Sequence, residues 1–238
     1  MVGVETWVGM CDTFETMPGD REPQNDEVRL FVERILNTPD PQVHSEQADS
    51  VIRLAQKRPQ DALLLARQLT VPALRAKALA VVARRVEQHQ VCDIAAEAIA
   101  AAQQAPDSYS KTVALAWPIA ALAERGELAA ASDALTLARQ IARTGARNSS
   151  RVSALAALLH GAWHLGVTVR RSLVEEIAEF QRVDSYFRIS QALVDSLTMI
   201  RESDREFADR LIASMKDEKW VRAAKAAGPC EPRDFFGC

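Results

Sequence analysis

The stretch ALLLARQ at residues 62–68 decides the fold, because it recurs along the chain at a nearly constant interval. AIAAAQQ at residues 98–104 begins 36 residues later, and ALTLARQ at residues 134–140 begins 36 residues after that. Weaker copies follow as VEEIA at 174–178 and ADRL at 208–211, after intervals of 40 and 34 residues. Self-similarity at a fixed period of roughly 20–50 residues is typical of repeat proteins.

A second motif is interleaved with the first. It reads RAKALA at residues 75–80, KTVALA at 111–116 and RVSALA at 151–156, with a degenerate copy, RIS, at 188–190. Its intervals of 36, 40 and 37 residues keep step with the first motif. Two motifs in one register argue against chance similarity and indicate a repeating unit.

Each unit is predicted to contain two helices joined by a tight turn. Abundant Ala and scarce Gly favour helix, and apolar residues recur at helical spacing. In one unit the pattern predicts a first helix over residues 72–88 and a second over 91–104, with Pro72 at the helix start. Residues 204–215 and 217–227 are predicted to form a polar-faced cap at the C-terminal end.

Two irregularities interrupt this pattern. Pro118 falls inside a helical run, which predicts a kink or a split, because proline lacks an N–H and clashes with the preceding turn. The 40-residue interval predicts a longer loop around residues 142–150, containing Gly145.

The period and pattern over roughly residues 40–215 resemble those of tetratricopeptide-type and related α-solenoid repeats. The resemblance implies an all-α fold, a right-handed α-solenoid of about five antiparallel helix pairs. It also implies a concave surface that binds segments of other proteins. The chain divides into an irregular acidic leader (1–24), a helical-repeat domain (25–227) and an irregular tail (228–238).

Composition and charge restrict the functional class. No apolar run reaches the roughly 18 residues of a membrane span, and no signal peptide or paired-cysteine spacing is present, so we expect a cytoplasmic protein without membrane contact. The net charge is −3 and the pI about 5.9, which argues against nucleic acid as a partner. Residues 1–27 carry seven acids and one base.

One basic residue opens each copy of the second motif: Arg75, Lys111, Arg151 and Arg188. Stacked units would align these cations, which could then bind an acidic peptide through charge-assisted hydrogen bonds. A structural alternative is ion pairing between units, with an acidic series in the second helices as partner. That series consists of Asp61, Glu97 and Asp133. We favour structural pairing, and keep the cations as candidate partner-binding residues.

Two tryptophans are further candidates. Trp117 and Trp163 fall in predicted first helices of successive units, where they could line a shared pocket. Large rings among small alanines more often fill the core. We therefore expect core filling, with a pocket as the alternative.

The leading functional hypothesis is a non-catalytic protein-interaction scaffold, because no phosphate loop, nucleophile elbow or Cys-x-x-Cys pair is present and no cofactor is implied. The alternatives are a HEAT-like DNA-base repair enzyme and a sensor that binds a small molecule or peptide inside the superhelix. The leader could also occupy the groove until a partner displaces it. That hypothesis predicts stronger partner capture once residues 1–24 are removed.

Overall fold

The computed structural model describes residues 41–184 and 186–228, which form eleven α-helices, two short 3-10 helices and no strand. This confirms the all-α class. The helices are α1 (Pro41–Lys57), α2 (Pro59–Gln68), α3 (Pro72–Ala83), α4 (Val91–Gln103), α5 (Ser108–Glu124), α6 (Leu128–Arg143), α7 (Asn148–Gly161), α8 (Val167–Val183), α9 (Phe187–Ile200), α10 (Arg205–Ser214) and α11 (Glu218–Ala226).

The odd-numbered helices form one row and the even-numbered helices form another. Each odd helix packs against the next odd helix, from α1 through to α11. Each even helix packs between the odd helices that precede and follow it. In the described part of the chain, successive even helices do not pack extensively against each other.

The two sequence motifs supply matching layers of the core. Leu79, Leu115 and Leu155 hold the same place in successive copies of the second motif, and each is at most 2% exposed. The first residues of the three strong copies of the other motif, Ala62, Ala98 and Ala134, are all buried, at most 4% exposed. Burying one leucine stabilises the folded state by about 1.5–3 kcal/mol, so packing of these repeated positions stabilises the helix pairs.

The first predicted helix of the 72–104 unit ends earlier than expected. Helix α3 stops at Ala83, and a turn and a 3-10 helix (Gln88–Gln90) lead into α4. Arg125 of the following unit donates a 2.8 Å hydrogen bond to the carbonyl oxygen of Arg84, just beyond the end of α3. The next unit thus binds the end of this helix, a contact that local sequence does not reveal.

Pro118 does not split its helix. Helix α5 runs unbroken from Ser108 to Glu124, with Pro118 buried among its apolar residues. Packing against neighbouring helices of both rows holds α5 together, although one of its backbone hydrogen bonds is missing. The predicted split is therefore wrong.

The 40-residue interval does not produce a longer loop. Four residues connect α6 to α7 (144–147), just as four residues connect α4 to α5 (104–107). The extra residues instead lengthen α6, which continues nine residues past Ala134, whereas α4 continues five past Ala98. Four residues are close to one turn, so the insertion leaves the buried face of α6 almost unrotated.

None of the described helices is long and apolar enough to cross a membrane. The two helices predicted over residues 204–215 and 217–227 are found as α10 and α11, within one residue of the expected bounds, while their role as a cap stays a prediction. The leader and nearly all of the tail lie outside the described residues.

Candidate functional site

Two of the four basic residues that open the copies of the second motif lie at the C-terminal ends of even helices. Arg75 donates to the carbonyl oxygen of Leu69 at 3.4 Å and to Oε1 of Gln104 at 2.5 Å. Arg151 donates to the carbonyl oxygen of Gly145 at 2.5 Å. Both carbonyls lie six residues before the cation, just past an even helix. A cation there satisfies free carbonyls and interacts favourably with the helix dipole.

Lys111 occupies the equivalent position one unit away from each of them. It lines a crevice of about 470 Å³ whose wall includes Gln140 and Thr144 at the end of α6. A related crevice of about 400 Å³ contains Arg75 one unit earlier. Arg188, by contrast, is exposed and is the second residue of α9. The structure therefore brings three of the four cations into register and leaves Arg188 apart.

The acidic series is only partly used for pairing between units. Glu97 accepts two hydrogen bonds from Arg67, at 2.7 and 2.8 Å, and joins α4 to α2. The Arg67 hydrogen bonds hold the pKa of Glu97 below its usual value. Asp61 pairs with Arg58 next to its own helix. No ion pair of Asp133 is found among the described residues.

Similar arginine–carboxylate pairs join later even helices. Arg139 of α6 donates to Glu176 of α8 at 2.7 Å, and Arg143 reaches the same carboxylate at 3.0 Å. Arg171 of α8 pairs with Asp204, which precedes α10, and these hydrogen bonds lower the pKa of Asp204. We call Arg67–Glu97, Arg139–Glu176 and Arg171–Asp204 the even-row ties.

Trp117 and Trp163 lie in different settings. Trp117 is half-buried in α5, with Nζ of Lys77 4.9 Å from its ring centroid. Trp163 lies in a 3-10 helix after α7, so its predicted placement in a first helix is wrong. The guanidinium carbon of Arg170 lies 4.3 Å from its ring centroid, and burial lowers the pKa of Arg170. Each ring thus stacks with its own cation, an arrangement of moderate stabilising energy.

The exposed side of α5 carries a row of larger apolar residues. Tyr109, Val113 and Trp117 are spaced four residues apart, and Tyr109 is 44% exposed while the other two are half-exposed. Residues four apart share a helix face. We call these three residues the odd-row stripe. Sequence reasoning singled out only Trp117, although the four-residue spacing in an Ala-rich helix was a usable signal.

The neighbouring odd helices flank this stripe with different chemistry. On the α3 side, Lys77 lies between the Trp117 ring and Asp49 of α1, with Nζ 3.9 Å from Oδ1 of Asp49. On the α7 side, the half-exposed positions include the small residues Ser153 and Ala156. The stripe is thus bordered by a cation on one side and by small side chains on the other.

Helix α7 approaches α5 at backbone distance. A Cβ atom on Gly161 would lie 2.4 Å from the carbonyl oxygen of Ala116, so only glycine fits there. Beyond α7, a cavity of about 500 Å³ separates it from α9 and is lined by Ser153, His160, Asp195 and Met199, among others. Asp195 accepts a 2.8 Å hydrogen bond from Gln191.

Comparison with protein-family models, with curated proteins and with solved structures finds no match for this chain. Among the described residues, no group of three or more His, Cys, Asp or Glu side chains is placed to hold a metal ion. The exposed side of α5 is an apolar and aromatic surface with a cation on one border and small side chains on the other, and this chemistry suits non-covalent binding.

Proposed function

We propose that the helix pairs form a right-handed α-solenoid of about five units, and that its concave face binds a segment of another protein. The packing pattern supports the solenoid. Each odd helix packs on the next one, and each even helix packs on its two odd neighbours. Such nearest-neighbour stacking generates a superhelix with two unequal faces.

The closer packing of the odd row supports its assignment to the concave side. Helices on the inside of a curve lie nearer to each other than those on the outside. The odd helices approach as closely as Gly161 and Ala116, whereas the even helices are linked by long side chains such as Arg67 and Glu97. The odd-row stripe therefore lies on the side that a partner would enter.

The observation that carries the proposal is the odd-row stripe itself. Its three residues are the apolar side chains of α5 that stay half-exposed or exposed, whereas the middle of this helix is otherwise buried. Aromatic anchors that keep part of their surface in water are enriched where protein segments bind. The serine and alanine side chains of α7 leave room beside the rings for the backbone of an extended or helical segment.

Matched acidic substitutions test this function. Val113→Asp introduces a carboxylate into the stripe, and Leu64→Asp introduces one at a 59%-exposed position of the even row. Affinity capture from the native host, read by mass spectrometry, should identify partners held by the wild type and by Leu64→Asp. Those partners should be lost with Val113→Asp, because an unpaired carboxylate buried at an interface is costly.

The captured partner is then purified and titrated against each variant. We expect at least about a tenfold weaker Kd for Val113→Asp, equivalent to about 1.4 kcal/mol, with the helical circular dichroism of the wild type. Loss of binding in Leu64→Asp with retention in Val113→Asp would assign binding to the even row and contradict the proposal.

The cavity between α7 and α9 favours a second candidate, a sensor of a small polar molecule. Its wall combines the carboxylate of Asp195 and the hydroxyl of Ser153 with apolar Met199. A few polar groups within an apolar wall are typical of small-molecule sites. A metabolite library screened by thermal shift should yield a ligand whose effect disappears in Ser153→Leu, which fills the cavity. A library without any such ligand would count against this candidate.

A further inference from the structure

An exposed apolar patch lies where α8 turns into α9. Val183 is 85% exposed, Tyr186 53% and Phe187 58%, which makes this the densest group of exposed large apolar side chains in the described chain. The Phe187 ring also contacts Trp220 of α11, with ring centroids 5.4 Å apart. We call Val183, Tyr186 and Phe187 the aromatic patch. Contiguous exposed apolar surface of this kind marks an interaction site.

Helix α11 and the residues just before it add positive charge beside the patch. Lys216, Lys219, Arg222 and Lys225 are exposed at intervals of three residues, and we call them the basic stripe. Nζ of Lys219 lies 6.0 Å from the Phe187 ring centroid and 5.2 Å from that of Trp220. Lys219 therefore joins the basic stripe to the aromatic patch.

The acids in this region offset only part of that charge. Asp217 accepts from the backbone N–H of Lys219 at the start of α11, and Glu218 follows it. Asp184 accepts from the backbone N–H of Tyr186 and from Asn148. The basic stripe carries four positive charges against two negative charges within residues 216–225.

The chain contains a segment that complements this surface. Residues 1–27 carry seven acids and one base, a net charge of −6. They also contain large apolar side chains, among them Trp7, Val8, Met10, Phe14 and Met17. A segment that is both acidic and apolar matches a surface that is both basic and aromatic. The odd-row stripe is a poorer match, because Lys77, the cation that flanks it on the α3 side, already lies beside Asp49.

The length of chain before α1 is sufficient to reach the patch. Met17 precedes Pro41 by 24 residues, which span at most about 80 Å when extended. The odd row from α1 to α9 contains four helix-to-helix steps of roughly 8–10 Å each, or about 40 Å in total. The leader can therefore reach the far end of its own molecule even if part of it is compact.

We propose that residues 1–27 dock on the aromatic patch and the basic stripe of the same chain. The acidic side chains lie along Lys216, Lys219 and Arg222, and the apolar side chains cover Val183 and Phe187. This contact does not depend on partner binding at the odd-row stripe.

Zero-length carbodiimide cross-linking of the full chain tests the contact. The reagent joins a lysine to a carboxylate only where the two already form an ion pair. Mass spectrometry should find Lys216 or Lys219 joined to leader carboxylates such as Asp12 and Glu15. Lys57, an exposed lysine of α1, is the internal control. An equal mixture of ¹⁵N-labelled and unlabelled chains shows whether each cross-link lies within one chain.

Charge reversal supplies the matched variants. Lys219→Glu with Arg222→Glu should abolish the cross-links of the remaining Lys216 and increase hydrogen exchange around residues 183–190. Lys57→Glu with Arg85→Glu reverses two exposed charges elsewhere and should leave both readouts unchanged. Adding Asp12→Lys and Glu15→Lys to the first variant should restore the exchange protection.

Three results would overturn the proposal. One is leader cross-linking at Lys216 and Lys219 no stronger than at Lys57. Another is cross-links found only between differently labelled chains, since the leader would then dock on a second copy. The third is binding of the patch to phosphatidylserine vesicles that is lost on charge reversal, while leader cross-links stay at the control level. The surface would then bind an anionic membrane.

Discussion

Gly161 shows how a single residue sets the spacing of two helices. The Cβ atom of any other residue would lie 2.4 Å from the carbonyl oxygen and 3.0 Å from the Cα atom of Ala116. Both of these are backbone atoms, so they cannot move aside as a flexible side chain could. Helices α5 and α7 must separate before a larger residue fits.

We expect Gly161→Ala to lower stability by about 1–3 kcal/mol, the usual cost of overpacking, even though alanine is the better helix former. For a chain of this size each 1 kcal/mol lowers Tm by roughly 2–4 °C. Thermal unfolding followed by circular dichroism measures the change. Gly228→Ala, at a position with open space around it, is the control. An unchanged Tm in Gly161→Ala would show that the two helices separate freely.

The even-row ties make the folding stability depend on pH. The pKa values of Glu97 and Asp204 are lowered, chiefly by the hydrogen bonds from Arg67 and Arg171. Their contribution is present above the unfolded pKa values, about 4.3 for Glu and 3.9 for Asp, and is lost as pH falls through the lower folded values. Below about pH 4.5 the Tm of the wild type should therefore fall more steeply than that of Glu97→Gln with Asp204→Asn.

Parallel Tm curves for the two proteins over that pH range would contradict this assignment. The Glu97 side chain is 38% exposed, so its share of this difference should shrink at high salt, whereas the Asp204 side chain is 8% exposed and its share should shrink less.

At this scale the sequence predicts burial better than polar contacts. The repeat register predicts that Leu79 and Leu115 share an environment, because apolar burial follows helical spacing. It does not predict that Arg75 and Arg151 bind backbone carbonyls at helix ends. Those bonds depend on where the preceding helix stops, which neighbouring units decide. The even-row ties are likewise contacts between units, and Arg67 differs from other arginines in no local feature.

At the scale of elements, the extra turn of α6 keeps the repeat in register. Four residues rotate a helix by about 400°, so the helix face after the insertion returns within about 40° of its starting position. A loop insertion was the natural prediction from a longer interval, since loops accept added residues at low cost. The chain instead added one helical turn, and that turn contains Arg143, a partner of Glu176.

Deleting residues 140–143 should therefore be tolerated. It removes the extra turn and restores a 36-residue step, with residues 144–147 connecting the helices as 104–107 do one unit earlier. Deleting only residues 140–141 rotates the end of α6 by about 200° and turns apolar side chains outward. We expect a cooperative thermal transition for the four-residue deletion and a lower, broader one for the two-residue deletion. The reverse order would show that the turn is not an addition to a 36-residue unit.

For the whole molecule, the sequence predicts the helical class and the pairing of helices, because these follow from period and composition. The proposed binding surface is harder to predict. The odd-row stripe becomes visible only once α3 and α7 are placed beside α5, and the aromatic patch depends on Trp220 of α11 contacting Phe187 across 33 residues. The DNA-repair alternative stays a prediction, which absence of duplex binding at low ionic strength would remove.

The even-row ties are spaced unevenly along the molecule. Gln103 of α4 occupies the place that Arg67 and Arg139 hold in their helices, and it lines the crevice facing α6. Gln103→Arg should add a tie to Asp133, worth up to about 1 kcal/mol at low salt and less at about 1 M salt. Thermal unfolding at the two salt concentrations checks this, and an equal Tm gain at both would exclude an ionic tie.

A missing tie in the middle of the row has a mechanical consequence. The odd helices pack against each other along the whole row, whereas the even row has arginine–carboxylate ties at α2–α4, α6–α8 and α8–α10. Among the described residues no such tie joins α4 to α6, and Gln88 and Glu127 instead link the starts of these two helices. Bending strain therefore concentrates at that joint, and the two halves of the molecule would swing about the odd-row stripe of α5. The proposed binding surface would sit at the hinge, so that its width follows the bend, and a partner that fits only the bent form would hold the two arms in place.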